Sequence, residues 1–205
     1  MFETAILTAA AIPAAGWAAH AAFLYRQLRA ERTDPLTGLT DRRTWTRRTD
    51  RMIRKGTANA VLLLDLNGFK PINDTFGHDA GDAALIATAA RLTDFLEDRS
   101  TTRPALTRLG GDEFAAAFTT GDLPAVRAGL ADALAQPVPW PGGPLTFTAS
   151  IGTVHTTELP QPSASTALKA ADTAMYEAKG RGRRGRRALR PLPRRLSALL
   201  SGRAA

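Results

Sequence analysis

The stretch that decides the fold is Leu106-Thr107-Arg108-Leu109-Gly110-Gly111-Asp112-Glu113-Phe114-Ala115-Ala116-Ala117-Phe118. Two mainly apolar runs, 106–109 and 114–118, flank the glycine pair and the two acids. Apolar runs on either side of a Gly-Gly turn predict a β-hairpin, and therefore antiparallel pairing. Asp112 and Glu113 fall at its tip. Taken alone, such a pair is also typical of an ordinary solvated turn.

A further carboxylate ends a buried strand. Residues 60–64, Ala-Val-Leu-Leu-Leu, form a short apolar run between turn signals, which predicts a central strand, and Asp65 follows directly. If this strand neighbours the hairpin, Asp65, Asp112 and Glu113 converge at one edge of the sheet. Carboxylate oxygens suit a hard cation such as Mg²⁺. Gly110 and Gly111 lack side chains, so a ligand can approach the backbone there.

The remaining pattern interleaves helices with strands. Proline and glycine mark a turn at 34–39, and Thr40 or Asp41 can cap a helix that runs to about Lys55. Residues 67–77 mix turn and helix signals. Helical spacing is predicted at 79–96, 124–136 and 164–178, and a further strand at 145–154. The prediction is an α/β sandwich with helices over a mostly antiparallel sheet.

A second polar cluster, 69–82, can recognise a nucleobase. Asn73 offers both a donor and an acceptor, and Asp82 accepts from ring N–H and amino groups. A guanine edge presents the complementary pattern. Lys70 can neutralise phosphate. We interpret His78 as a structural histidine that hydrogen-bonds the loop rather than as a catalytic group.

The N-terminal segment, 4–25, has no formal charge apart from what His20 can gain. It is about 22 residues long, which is enough to span a bilayer as a helix. Its composition is alanine-rich and includes Pro13 and Gly16, which makes insertion marginal. Arginines follow at once, which places the rest of the chain in the cytoplasm. We predict a membrane anchor on the inner face of the cell membrane; the alternative is a soluble helix that packs against a partner.

The composition of the 205-residue chain limits the classes of function. There is no cysteine, which excludes disulfides, thiolate metal sites and thiol nucleophiles. The net charge is +8, and arginine crowds the chain after Lys179. No aromatic residues alternate with these arginines for base stacking, so we do not expect nucleic acid as a partner. We divide the chain into an N-terminal helix and linker (1–33), one domain (34–186) and a basic tail (187–205).

These motifs together resemble the GGDEF domain of bacterial diguanylate cyclases. The resemblance covers about 34–186 and rests on landmarks in the same order. They are Asp34-Pro35-Leu36-Thr37-Gly38-Leu39, Asp65-Leu66-Asn67-Gly68-Phe69-Lys70, Ile72-Asn73-Asp74, Gly77-His78, Gly81-Asp82, Arg108 to Phe114, Ser150-Ile151-Gly152, Ala171-Asp172, Met175-Tyr176 and Ala178-Lys179.

The resemblance implies a fold like adenylyl cyclases and polymerase palms, and a homodimer in which each subunit holds one GTP. Two GTP molecules condense to cyclic di-GMP with loss of pyrophosphate. By resemblance, two Mg²⁺ ions, with Mn²⁺ as an alternative, are held by Asp65, Asp112 and the backbone carbonyl of Leu66. Glu113 is the candidate base, or alternatively a metal-assisting carboxylate, for the attacking hydroxyl. The expected substrate-binding residues are Lys70, Asn73, Asp82, Gly110, Gly111, Lys179 and Arg183.

Lys179 and Arg183 are four residues apart, which puts them on one face if the last helix continues. Gly180 and Gly182 leave a loop equally open.

Two departures from the family pattern affect the prediction. Asn67 stands where many relatives carry a second aspartate, and we expect a mild effect. The arginine and aspartate of the family's inhibitory site are replaced by Thr101 and Pro104. We therefore predict no product inhibition through that site.

Two other readings stay open. The chain could be a catalytically inactive GGDEF module that acts as a receptor for GTP or cyclic di-GMP. It could also be a membrane-tethered scaffold whose basic tail binds nucleic acid or lipid, although that reading leaves the converging acids unexplained.

Overall fold

The computed structural model describes Trp17, His20, Ala21, Phe23 and residues 33–188, with side chains at 33–177 and at Lys179. Nine helices and strands follow one another between 33 and 188. They are α1 (Arg42–Arg54), β1 (Ala60–Asn67), α2 (Phe69–Phe76), α3 (His78–Glu97), β2 (Ala105–Gly110), β3 (Glu113–Phe118), α4 (Leu123–Leu134), β4 (Thr148–His155) and α5 (Ala164–Ala188). A short 3-10 helix, Thr156–Glu158, links β4 to α5.

The four strands form one antiparallel sheet in the order β2-β3-β1-β4. β1 is a central strand and pairs with β3 on one side and β4 on the other. β1 and β2 run in the same direction with β3 between them, as in a split β-α-β unit. The predicted mixed α/β fold with an antiparallel sheet is confirmed.

Alternating side chains of β1 form two separate cores. Ala60, Leu62, Leu64 and Leu66 face the core that holds α3 and α4. Val61 and Leu63 face the core that holds α1 and α5. Because side chains in a strand alternate between faces, a slip of one residue would exchange the two sets. The register of β1 is therefore strongly determined by burial.

Strand β3 carries only small side chains in its centre. Ala115 and Ala117 belong to the core under α1 and α5, and Ala116 belongs to the opposite core. All three are fully buried. Helices on both sides thus pack against methyl groups at this position of the sheet.

Helix α1 begins where the sequence indicated and packs through one buried tryptophan. Asp41 rather than Thr40 caps it, accepting a hydrogen bond from the Thr44 backbone N–H at 3.0 Å. Trp45 is completely buried, and its indole Nε1 donates to the carbonyl of Ala105 at 3.0 Å. This bond joins α1 to the start of β2.

Two boundaries differ from the sequence prediction. Helix α5 does not end near Lys179 but continues to Ala188. Gly180, Gly182 and Gly185 lie inside this helix, although a glycine there costs about 1 kcal/mol relative to alanine. The last strand begins at Thr148 rather than at Leu145, which instead bridges Val138 in a short loop pairing.

The predicted N-terminal helix, 4–25, lies almost wholly outside the described residues, as does the basic tail from 189 onward. Two of its members that are described, Trp17 and Phe23, are exposed. Within the described residues, no helix is both long enough and apolar enough to cross a membrane.

Candidate active site

Asp65 and Glu113 lie directly opposite each other on neighbouring strands. The register of β1 and β3 pairs them, and the Leu66 backbone N–H donates to the carbonyl of Asp112 at 3.3 Å. Leu66 and Asp112 therefore form a hydrogen-bonded pair of the antiparallel ladder. The neighbouring pair, Asp65 and Glu113, is a non-hydrogen-bonded pair, in which facing side chains lie closest together. The two side chains share one face, because residues paired across a sheet point the same way. The strand that carries Asp65 is thus a direct neighbour of the hairpin, as the converging-acid hypothesis required.

The hairpin turn depends on its glycines. Gly110 pairs with Glu113, and a register shift between Arg108 and Gly110 indicates a bulge just before the turn. Gly110 and Gly111 have φ values of 147° and 55°, in a region that favours glycine. The two loop residues are Gly111 and Asp112. Both glycines are exposed, so the backbone at the tip is open to a ligand.

Arg108 holds this turn and connects it to the N-terminal turn at 34–39. Its Nε donates to the carbonyl of Gly111 at 2.9 Å, and its Nη1 lies 3.3 Å from Oδ2 of Asp34. The Asp34 backbone closes its own turn with hydrogen bonds to Gly38 and Leu39. Both segments are landmarks of the family resemblance, but nothing in the sequence predicts that they touch.

The charge of Asp34 is stabilised where it lies. Burial alone would raise the pKa of this carboxyl, but hydrogen bonds from the hydroxyl and backbone N–H of Thr37, then the charge of Arg108, outweigh burial and lower the pKa. The two bonds from Thr37 measure 2.7 and 2.8 Å. Asp34 therefore serves as a fixed anion that orients Arg108.

Lys179 of α5 reaches the same edge of the sheet and contacts Asp65. Its Nζ lies 2.8 Å from Oδ1 of Asp65, and the two side chains are 39% and 26% exposed. An ion pair this exposed contributes about 0–1 kcal/mol, so exchange of either partner for a ligand costs little. Because α5 continues past Gly180, Arg183 lies one helical turn beyond Lys179. The side chain of Arg183 is outside the described part.

The acidic groups fit a hard cation in chemistry but do not form a closed cage. Asp65 and Glu113 offer carboxylate oxygens at one edge, and Asp112 follows in the turn, half-buried. Among the side chains that the structure describes, no group of three acids or histidines is arranged to hold a metal. The structure places Asp65 opposite Glu113, and the convergence of all three carboxylates stays a prediction. Magnesium commonly binds through one or two carboxylates plus substrate phosphates, which this donor set allows.

The predicted base-reading cluster lies on helices α2 and α3. α2 begins two residues after β1 ends, so the cluster lies at the same edge of the sheet as Asp65. Lys70 and Asp82 are exposed and Asn73 is half-buried. Gly68, with φ 84°, starts α2, and Gly77, with φ 86°, separates α2 from α3. His78 is the first residue of α3 and is exposed.

Two polar residues beside Asp65 have roles that the sequence did not suggest. Ser150 pairs with Asp65 across β1 and β4, and its hydroxyl donates to Oδ1 of Asn67 at 2.9 Å. The amide nitrogen of Asn67 donates to Thr148 at 3.2 Å. Asn67 thus joins the ends of β1 and β4. No sequence signal pointed to this pairing, because it depends on the register of strands about eighty residues apart.

The segment where relatives carry an inhibitory site is held by backbone contacts. Pro104 is buried and Thr101 is exposed. Arg48 of α1 donates from Nη2 to the carbonyls of Arg103 and Pro104, at 3.3 and 3.1 Å. Burial first, and then the charge of Arg103, lower the pKa of Arg48. The absence of a product-inhibition site stays a prediction.

Several known proteins are similar to this chain in sequence. The family described as "Diguanylate cyclase, GGDEF domain" matches residues 31–185. A protein from Streptomyces ambofaciens, named for its place in the repSA 5′ region, is 49% identical over 180 residues, covering 87% of this chain and 95% of its own length. Diguanylate cyclase DgcN of Escherichia coli is 37% identical over 160 residues, which cover 74% of this chain and 38% of that protein.

A solved structure gives the same result. The crystal structure of a sensory box/GGDEF family protein from Caulobacter crescentus is 37% identical, with a TM-score of 0.61, covering 73% of this chain and 98% of that one. The chain belongs to the GGDEF family of diguanylate cyclase domains.

Proposed function

We propose that this protein is a diguanylate cyclase, which condenses two GTP molecules into cyclic di-GMP and two pyrophosphates. The observation that carries the proposal is the facing pair Asp65 and Glu113, beside an intact Gly110–Gly111 turn and within reach of Lys179. An acid, an open backbone and a cation at one sheet edge match what transfer at a phosphate requires.

The chain's own residues supply positioning and proton transfer. Asn73 and Asp82 read the guanine, and Lys70, Lys179 and Arg183 hold phosphates. Lys179 can leave Asp65 for a triphosphate at small cost because the pair is exposed. Glu113, which is exposed, accepts the proton from a 3′-hydroxyl. The 3′ oxygen then bonds to the α-phosphorus of the other GTP, and the bond to the leaving pyrophosphate breaks.

Divalent ions and a second subunit complete the proposed site. Asp65, Asp112 and the Leu66 carbonyl would hold Mg²⁺ or Mn²⁺, which would stabilise charge on the attacking and leaving oxygens. A homodimer is required because one subunit presents only one GTP. GTP is made in the cytoplasm, so we place the domain there. Membrane tethering through 4–25 stays a prediction from the sequence.

The test uses the full-length chain with GTP and Mg²⁺, with cyclic di-GMP measured by mass spectrometry. Wild type should form product, and Glu113→Gln and Asp112→Asn should each reduce it by about a hundredfold or more. The matched control is Glu97→Gln, the same change at an exposed residue at the far end of α3. It should retain wild-type turnover.

The outcomes separate the competing functions. A folded, dimeric wild type that makes no product overturns the cyclase proposal. If that protein still binds GTP or cyclic di-GMP, it is a receptor; if it binds neither but binds anionic vesicles or nucleic acid, it is a scaffold. Undiminished turnover in both Glu113→Gln and Asp112→Asn overturns the assigned roles.

A further inference from the structure

Gly81 of α3 lies against the side chain of Asn73 of α2. A Cβ added at Gly81 would lie 2.0 Å from Oδ1 of Asn73, 2.9 Å from its Cγ and 3.3 Å from its Nδ2. Gly81 is buried, and its φ is not in the positive region that calls for glycine. Alanine would also be the better helix former at this position. What requires glycine here is the space that the Asn73 amide occupies.

This contact determines how the amide is presented. Oδ1 is the amide atom nearest to Gly81, and Nδ2 is the farthest. The Asn73 carbonyl oxygen therefore lies closer to Gly81 than its NH₂ donor does. The next residue, Asp82, is exposed and accepts hydrogen bonds. The Asn73 amide therefore lies against the turn of α3 that also carries this exposed acceptor.

A donor and an acceptor of this kind suit guanine better than adenine. Guanine presents the O6 acceptor beside ring and amino N–H donors, whereas adenine presents an amino donor at the corresponding place. A donor from Asn73 and an acceptor from Asp82 match guanine, and they leave adenine with mismatched groups. A binding site that leaves polar groups unpaired rejects the wrong ligand strongly.

We propose that Gly81 is a positioning residue for guanine selection: by lacking a side chain, it lets the Asn73 amide lie against α3 in the orientation that reads the base. The inference rests on the proposed function, in which Asn73 and Asp82 contact guanine. Gly81 itself need not touch the nucleotide. A methyl group here must displace the Asn73 amide, because the clash at 2.0 Å is too short for any real contact.

The experiment measures nucleotide affinity with full-length protein and Mg²⁺. The ligands are the α,β-methylene analogues of GTP and ATP, which cannot lose pyrophosphate. For Gly81→Ala we expect the guanine-to-adenine affinity ratio to fall on the order of tenfold, as for loss of one well-placed base contact. The matched control is Gly121→Ala, because Gly121 is exposed and an added Cβ meets nothing within 4 Å. Its ratio should equal that of wild type.

A double variant separates positioning from a general packing defect. Asn73→Ala removes the amide atoms that a methyl group at position 81 would strike, so adding Gly81→Ala to Asn73→Ala should lower the ratio no further. If Gly81→Ala alone fails to fold, the double variant should fold. If the double variant also fails to fold, Gly81 does not act through Asn73, and the inference is overturned.

The remaining outcomes distinguish the inference from the function on which it rests. A normal ratio in Gly81→Ala, with a reduced ratio in Asn73→Ala, overturns the positioning role and leaves the cyclase proposal standing. A normal ratio in Asn73→Ala overturns the guanine-reading role, and the inference with it. A further loss in the double variant also overturns the inference.

Discussion

Replacing Gly152 with alanine should push helix α5 away from the sheet. Gly152 lies in β4, and a Cβ there would be 1.9 Å from the carbonyl oxygen of Ala171, 2.7 Å from the backbone nitrogen of Met175 and 2.8 Å from its Cβ. These atoms belong to the helix backbone or are attached directly to it, so no side-chain rotation relieves the clash. Moving the carbonyl from 1.9 Å to ordinary contact at 3.4 Å requires a shift of about 1.5 Å.

The free-energy cost of this shift follows from the cost of overfilling a close-packed core. Overfilling a close-packed core costs about 1–3 kcal/mol, and in a domain of this size each kcal/mol lowers Tm by about 2–4 °C. We therefore expect Tm to fall by roughly 2–12 °C. Lys179 lies one turn beyond Met175, so the same movement should separate its Nζ from Asp65, now 2.8 Å away.

Thermal unfolding followed by calorimetry checks this prediction, with Gly121→Ala as the control. The control places the same methyl group in open space and should change Tm by no more than about 2 °C, as expected for a surface substitution. If Gly152→Ala melts within about 1 °C of wild type, the close approach of α5 to β4 is wrong.

Two further predictions concern residues outside the sheet edge. Asp34→Asn should lose about 1–2 kcal/mol at pH 7, because it removes a charged acceptor. The folded-state pKa of Asp34 is lowered, so its stabilisation is present above the unfolded value of about 4 and disappears as pH falls through the folded pKa. Denaturant unfolding at several pH values should show wild type and variant converging in acid; a constant gap would contradict the ionised role. Trp45→Phe should cost about 2–3 kcal/mol, since it removes the indole donor from the buried Ala105 carbonyl and creates a cavity. An unchanged denaturation midpoint would contradict this.

Local chemistry made much of this fold predictable. The Gly110–Gly111 pair predicted the hairpin, and the uninterrupted apolar run before Asp65 predicted a strand buried on both faces. Both features depend only on neighbouring residues. The pairing of Asp65 with Glu113 follows from these elements only once the register is known, and register is determined by which side chains the two cores bury.

The parts that sequence reasoning missed are long-range or depend on a balance of small energies. Arg108 and Asp34 are 74 residues apart, and nothing local to either residue shows that they meet. Helix α5 continues past Gly180, Gly182 and Gly185, each of which costs about 1 kcal/mol relative to alanine, so glycine content alone does not predict where it ends. The space at Gly81 can be recognised only when α2 and α3 are placed together.

The three alanines in the centre of β3 have a consequence for reading natural variation in this family. Each is fully buried between two helical layers, so a larger side chain would need compensating losses in a neighbouring helix. Selection should hold positions 115–117 to small residues for reasons of volume alone. They follow directly after the signature residues 108–114, where invariance is easily attributed to catalysis. If these positions accept only alanine, glycine or serine, the cause is the limited space between the sheet and its helices. Strict retention of Glu113 would instead reflect its chemical role.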